Sequence, residues 1–261
     1  MKAPIIHRYI RIALQNIGAA FLFVALACHS EPLKSNNSSE STPLQKEIAK
    51  IFPKFEAHSV TESDDYAAAI LTMPTTEDDE HEMKVALFHR NTDQSYRLIS
   101  SSKSWKVYLL DRVGWSIKTD NKALLLSLGG STGCCSGFET TYRFRIEEHA
   151  IRLAGEETTS YGYEDSNSDN FYETRASINY LSGKVIHSRR SGTRKANPNE
   201  LGFGGKTKRV EVQLSFPNKY VWELSNFNPD QYAHYQMQIP ELCGGINETM
   251  KYKPCELEKK S

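Results

Sequence analysis

The chain has 261 residues, with 32 Lys and Arg against 32 Asp and Glu, and a formal net charge of zero. The strong cations before residue 28 are Lys2, Arg8 and Arg11, so a chain starting at Cys28 carries 29 cations against 32 acids, a net charge of −3. That balance excludes a general electrostatic nucleic-acid binder, which needs clustered positive charge, and 39% hydrophobic with 25% charged residues excludes a polytopic membrane protein and a wholly disordered chain.

Residues 1–11 are basic through Lys2, His7, Arg8 and Arg11, and Ile17 to Ala27 form an uncharged apolar run. A helix that spans a bilayer needs about 20 apolar residues, so this run is too short and has the form of a secretory signal peptide, residues 1–27. The stretch Val24-Ala25-Leu26-Ala27-Cys28 resembles the lipobox of bacterial lipoproteins. The resemblance implies cleavage before Cys28, a diacylglyceryl thioether on its sulfur and acylation of the new amino group. Several acyl chains hold a protein at a membrane where one binds only reversibly. A soluble periplasmic protein cut by the ordinary signal peptidase and an uncleaved anchor are the other readings. Residue His29 stands where an Asp marks inner-membrane retention in enteric lipoproteins, so the same resemblance implies the outer membrane, facing the periplasm. Residues 28–43 then hold the lipidated Cys and a polar tether with almost nothing to bury.

A single mainly-β domain is expected over 44–255. One helix opens it: Thr42 caps, Pro43 suits the first helical position, and Gln45 completes a capping box. Leu44, Ile48, Ile51 and Phe55 fall at helical spacing, and the helix should end near Pro53. The period then changes to two. Val85–His89 and Tyr96–Ile99 flank the polar turn Asn91-Thr92-Asp93-Gln94, and Lys122–Leu128 is a further run. Phe138, Thr140, Tyr142, Phe144 and Ile146 alternate with polar residues, as do Tyr172, Thr174, Ala176, Ile178 and Tyr180, and then Val210, Val212, Leu214 and Phe216. These are half-buried antiparallel strands, nine or ten in all. The expected architecture is a twisted antiparallel sheet forming a sandwich or barrel. No fixed repeat argues for a propeller or solenoid.

Residues from about 84 to 185 resemble uncharacterised secreted or lipid-anchored bacterial β-proteins, through Tyr96-Arg97-Leu98-Ile99, Thr141-Tyr142-Arg143-Phe144-Arg145, Ile151-Arg152-Leu153-Ala154-Gly155 and Ser177-Ile178-Asn179-Tyr180-Leu181-Ser182-Gly183. That likeness implies fold and compartment, and no activity. Near the C-terminus Asn228 caps a short helix from Pro229, and 256–261 read as a frayed tail.

Gly129-Gly130-Ser131-Thr132-Gly133 matches the G-x-S-x-G pattern of hydrolase nucleophiles, in which the Ser sits on a strained turn from strand into helix. Here Cys134-Cys135-Ser136-Gly137 and then a strand follow, so the helix is missing and a hairpin connection is the simpler reading. Asp165, Asn167 and Asp169 alternate as in calcium loops, but Asn170 and Ala176 stand where that pattern wants Gly and Glu, so a polar turn is expected. Glu77-Asp78-Asp79-Glu80-His81-Glu82 reads as a solvated loop. The stretch His187 to Lys208 carries Arg189, Arg190, Arg194, Lys195, Lys206 and Lys208 without hydrophobic period and reads as a long mobile connection, with contact to anionic groups as its functional reading. His149, His187 and His234 are scattered, and no metal site or cofactor is expected.

An exported body with four cysteines, Cys134, Cys135, Cys243 and Cys255, suggests disulfides. Two pairings join the Cys134-Cys135 turn to the C-terminal segment. The third joins Cys243 to Cys255 across Cys243-Gly244-Gly245 and Lys253-Pro254-Cys255, and leaves Cys134 and Cys135 bridged to each other or as thiols. Adjacent cysteines close only a tight ring. The closed-loop look of the C-terminal pair favours Cys243–Cys255.

The sequence therefore points to a lipid-anchored, non-enzymatic module that binds a protein or envelope component and not nucleic acid. Protection against, or inhibition of, a periplasmic enzyme is one form of that role. The alternative is a secreted hydrolase using Ser131.

Overall fold

The structure is a computed structural model that describes residues 41–76, 80–108, 113–120, 122–133, 136–163, 170–194, 203–216, 221–229, 245–246 and 251–253. The expected signal peptide, Cys28, most of the expected tether, Cys134, Cys135, Cys243, Cys255 and residues 256–261 lie outside the described residues, as does the expected C-terminal helix beyond Pro229.

Helix α1 spans Pro43–Ile51 and buries Leu44 and Ile48. It ends two residues before Pro53, as the sequence requires. The strands that follow build two antiparallel sheets. The first holds β1 (Glu56–Glu62), β2 (Tyr66–Pro74), β3 (Glu80–Arg90), β4 (Tyr96–Ser101) and β5 (Trp105–Tyr108). β4 and β5 share one edge of β3: β4 pairs with Ala86–Arg90 and β5 with Glu80–Met83. Between them Ser102 takes over the ladder. Its amide donates to the Val85 carbonyl at 2.8 Å, and the Val85 amide donates to Ser102 Oγ at 2.9 Å.

The second sheet is a meander in sequence order: β6 (Val113–Thr119), β7 (Ala123–Gly133), β8 (Ser136–Ile146), β9 (Ile151–Tyr163), β10 (Asn170–Asn179), β11 (Lys184–Arg194) and β12 (Phe203–Ser215). A two-residue pair, β13 (Gly245–Ile246) with β14 (Tyr252–Lys253), completes the strands. The chain is thus mainly β, as its patterning indicates, with two more strands in the sheets than the upper count expected.

The layers follow from which side chains share a face. Ala68, Ile70, Val85, Leu87 and Trp105 from the first sheet meet Ile117, Leu126, Phe144, Ile178 and Val185 from the second, with Leu224 and Phe227 sealing the core. The opposite face of the first sheet carries Ala67, Ala69, Leu71, Ala86 and Phe88, and α1 lays Leu44 and Ile48 on it. The first sheet is therefore covered on both faces. Its β2 residues Ala67 to Leu71 are fully buried without alternation, the pattern of a strand with no solvent side. The small alanines let the helix approach. Burying apolar surface at about 25 cal/mol per Å² makes these contacts the chief stabilising contribution.

Two expectations are corrected. Glu77–Glu82 is not a solvated loop throughout: β3 begins at Glu80, whose side chain is 1% exposed and pairs with Lys106 at 2.8 Å. The stretch from His187 to Lys208 is not a long mobile connection in its described parts. Lys184–Gly192 pairs residue by residue with Thr207–Ser215, and Arg194 pairs with Phe203 beyond a bulge. Cross-strand hydrogen bonding orders a segment that has no hydrophobic period because it buries little on either face.

Candidate binding face

Only one face of the second sheet meets the core. Its other, outer face presents the alternate residues in rows fixed by the register. One row runs Ser116–Ser127–Thr141–Glu157, the next Gly114–Gly129–Glu139–Thr159, and the next Ser131–Gly137–Tyr161–Glu173. Where the first two rows cross β6 and β7 the residues are Gly114, Ser116, Ser127 and Gly129, so the backbone itself forms much of the floor, and β8 adds Thr141 and Glu139 beside it. The result is an open trough of about 550 Å³ lined by Gly114, Ser116, Ser127, Gly129, Glu139 and Tyr161, among others.

Tyr161 closes one end of this trough because of Gly137. The two are directly paired across β8 and β9. A Cβ on Gly137 would lie 2.5 Å from the Tyr161 hydroxyl and 2.9 Å from the Gly130 carbonyl oxygen. The phenol thus rests on the glycine, a cross-strand use of glycine that lets an aromatic ring lie flat on a sheet. At the floor, Ser127 Oγ and Thr141 Oγ1 are hydrogen-bonded at 2.8 Å.

From Tyr161 an aromatic band continues along the same face. Phe171 stands 6.2 Å from Tyr161, 6.0 Å from Tyr163 and 5.3 Å from Phe203 between ring centroids, mostly edge to face. The Arg190 guanidinium lies 4.4 Å over the Phe203 ring, and its Nε donates to Thr207 Oγ1 at 3.1 Å. Edge-to-face rings and a stacked guanidinium each add stabilisation beyond buried area. Phe171 is only 3% exposed although it points away from the main core. Nearby charges are partly neutralised in place: Arg175 pairs with Glu157, and Arg209 with Glu211 at 2.9 Å.

The core-facing side of the same sheet turns polar beyond the first sheet. Tyr180 Oη and Thr158 Oγ1 both donate to Glu156, each at 3.1 Å, and Thr140 Oγ1 meets Thr158 Oγ1 at 3.1 Å. His187 is held below its ordinary pKa of 6.5 by burial, and Arg189 lies 4.7 Å over the Tyr172 ring. Strand β10 runs between Glu156 and His187, which places their backbones about 10 Å apart at the usual strand spacing.

The remaining sequence candidates fall as follows. The backbone of Ser131 is paired with Gly137 within β7, and β8 starts at Ser136. This is strand, hairpin, strand, and the strand-to-helix elbow that exposes a catalytic serine is not built. Asp165, Asn167 and Asp169 lie outside the described residues, as does His234. His149 is exposed at the β8–β9 turn, 3.9 Å from Glu148. Among the described residues no three His, Cys, Asp or Glu side chains converge as metal ligands, and no helix is long and apolar enough to cross a membrane. Sequence reasoning missed Tyr161, Gly137 and the aromatic band. The signal was present as aromatics spaced by two in Tyr161-Gly162-Tyr163 opposite Phe171, but only the register of β8 to β10 puts them together. Comparison of the chain with family models, with curated proteins and with solved structures finds no match in any of the three.

Proposed function

We propose that the protein is a lipid-anchored envelope protein, held at the outer membrane through Cys28 and facing the periplasm, that works as a non-enzymatic binding module. The observation that carries the binding part is the open, backbone-floored trough on an exposed sheet face, with Tyr161 at its end and Glu139 on its wall. A glycine floor admits a projecting group of a partner to hydrogen-bonding distance of the sheet backbone. The phenol offers an apolar face with a polar tip, and the carboxylate accepts hydrogen bonds from a donor on the partner. An open geometry of this kind suits a side chain or glycan of a large partner better than an enclosed small molecule. The lipobox-like stretch and the polar tether support the anchor. Binding of a periplasmic enzyme, so as to inhibit it or shield the envelope from it, is one role the face suits.

Capture of the anchored protein from cross-linked envelopes tests both parts. Cys28→Ser should release the chain from the membrane fraction and abolish lipid labelling. Glu139→Lys should leave the chain in the membrane and lose the captured partner. Unchanged partitioning of the first variant sinks the anchor, and undiminished capture by the second sinks the trough. A serine-reactive probe that labels the native chain but not Ser131→Ala would replace this reading with the hydrolase.

A further inference from the structure

The open edge of the second sheet points to a partner chemistry of its own. β12 is the last strand of the seven, thirteen residues long, and among the described residues β11 is its one strand neighbour. The opposite edge, β6, lies against β1 and β2 of the first sheet. Among the described residues the outer edge of β12 carries no backbone hydrogen bond. Lys206, Lys208 and Arg209 are exposed along it, and a Cβ built on Gly205 would meet nothing within 4 Å. A long strand with a free ladder edge is a template for an added strand.

The charges select what is added. Lys208 and Arg209 are neighbours, so they project to opposite faces of the strand, and Arg190 stands directly opposite Arg209 on β11. Glu211 pairs with Arg209 at 2.9 Å. The ribbon edge is therefore cationic on both of its faces over Lys206–Arg209. A second copy pairing there would set cations against cations, and like charges opposite each other across a ladder are destabilising. We propose that β12 receives an extended acidic segment of another protein as an eighth strand, with the backbone ladder giving affinity and Lys206, Lys208 and Arg209 giving selection by sign. This edge lies apart from the trough, and the inference rests only on the reading of the molecule as a binding module.

The probe is a fluorescent peptide of about a dozen alternating Thr and Glu residues, titrated against the full chain in detergent. Binding should slow hydrogen exchange of the Lys206–Glu211 amides by about tenfold or more, since strand addition covers them. Joint reversal by Lys206→Glu, Lys208→Glu and Arg209→Glu should weaken binding at least about tenfold, with an unchanged circular dichroism spectrum. A Thr-Lys peptide, or the acidic peptide N-methylated at alternate residues, should not bind. Glu139→Lys should bind the acidic peptide as the native chain does, so that failure of the trough and failure of the edge are read separately. No binding, binding that leaves the β12 amides unprotected, or binding that survives the triple reversal would each overturn the proposal. So would displacement of the peptide by phosphatidylglycerol vesicles that protect no β12 amide.

Discussion

Gly137 and Gly205 are both strand glycines, and they predict opposite responses to the same substitution. At Gly137 an added methyl group meets the Tyr161 hydroxyl oxygen at 2.5 Å, its ring carbon Cζ at 2.7 Å and the Gly130 carbonyl at 2.9 Å. The ring can swing away, but the carbonyl is fixed in the ladder, so Gly137→Ala should destabilise by about 1–3 kcal/mol in urea denaturation. Gly205→Ala meets nothing and should be neutral or slightly stabilising, because it reduces the freedom of the unfolded chain. Equal effects at the two sites would show that the Tyr161–Gly137 contact does not shape the trough. His187 sets a pH dependence. Burial lowers its pKa below 6.5 in the folded protein, so between the two values the unfolded chain binds the proton more readily. Its contribution is complete above about pH 6.5 and is lost as the pH falls toward the folded value. The thermal midpoint of the native chain should fall more steeply from about pH 7 to pH 5 than that of His187→Gln. Parallel slopes would remove His187 as the cause. Neither residue stands out in the sequence. Glu80 shows why: it sits inside an acidic run, and which of several adjacent carboxylates turns inward is decided by where the strand begins and by Lys106 from β5, 26 residues further along the chain.

The Cys243–Cys255 pairing expected from the sequence is open to a direct test beside the two-residue strand pair. Gly245 pairs with Lys253 and Ile246 with Tyr252. Cys243 precedes Gly245 by two residues and Cys255 follows Lys253 by two, and both cysteines lie outside the described residues. A non-reduced digest should yield a linked peptide pair holding Cys243 and Cys255. Recovery of Cys134 or Cys135 bound to either would exclude the pairing. Elements differed in how well the sequence announced them, for a physical reason. β8 and β10 have one covered and one open face, and their alternation at Phe138–Ile146 and Tyr172–Tyr180 was plain. β2 is covered on both faces, so Ala67 to Leu71 show no period. β1, at the edge of the first sheet, and the distal half of β12 are largely exposed, so they carry polar and glycine residues that resemble loops. Hydrophobic period reports asymmetry of burial, and it falls silent when the two faces are alike.

The whole body, Pro43 to Ser261, is one compact unit by its internal contacts, and its three layers are helix, covered sheet and half-open sheet. A chain beginning at Thr42 should therefore fold alone and melt within about 2 °C of one beginning at Cys28. A larger loss would mean that the tether contributes packing. Helix α1 matters out of proportion to its nine residues, because without it the alanine face of the first sheet would meet water. The order of the second sheet has a further consequence. Each of its seven strands is bonded to its neighbours in sequence, and the connections from β8 to β9 and from β10 to β11 are only four residues each. Closing such short loops loses little chain entropy. The ladder can grow by zipping, one hairpin on the next, and no strand must wait for a remote segment to arrive. Contact order within this sheet is accordingly low for an all-β architecture, and the search through long-range arrangements is left to a single event, the meeting of the finished meander with the first sheet and its helix.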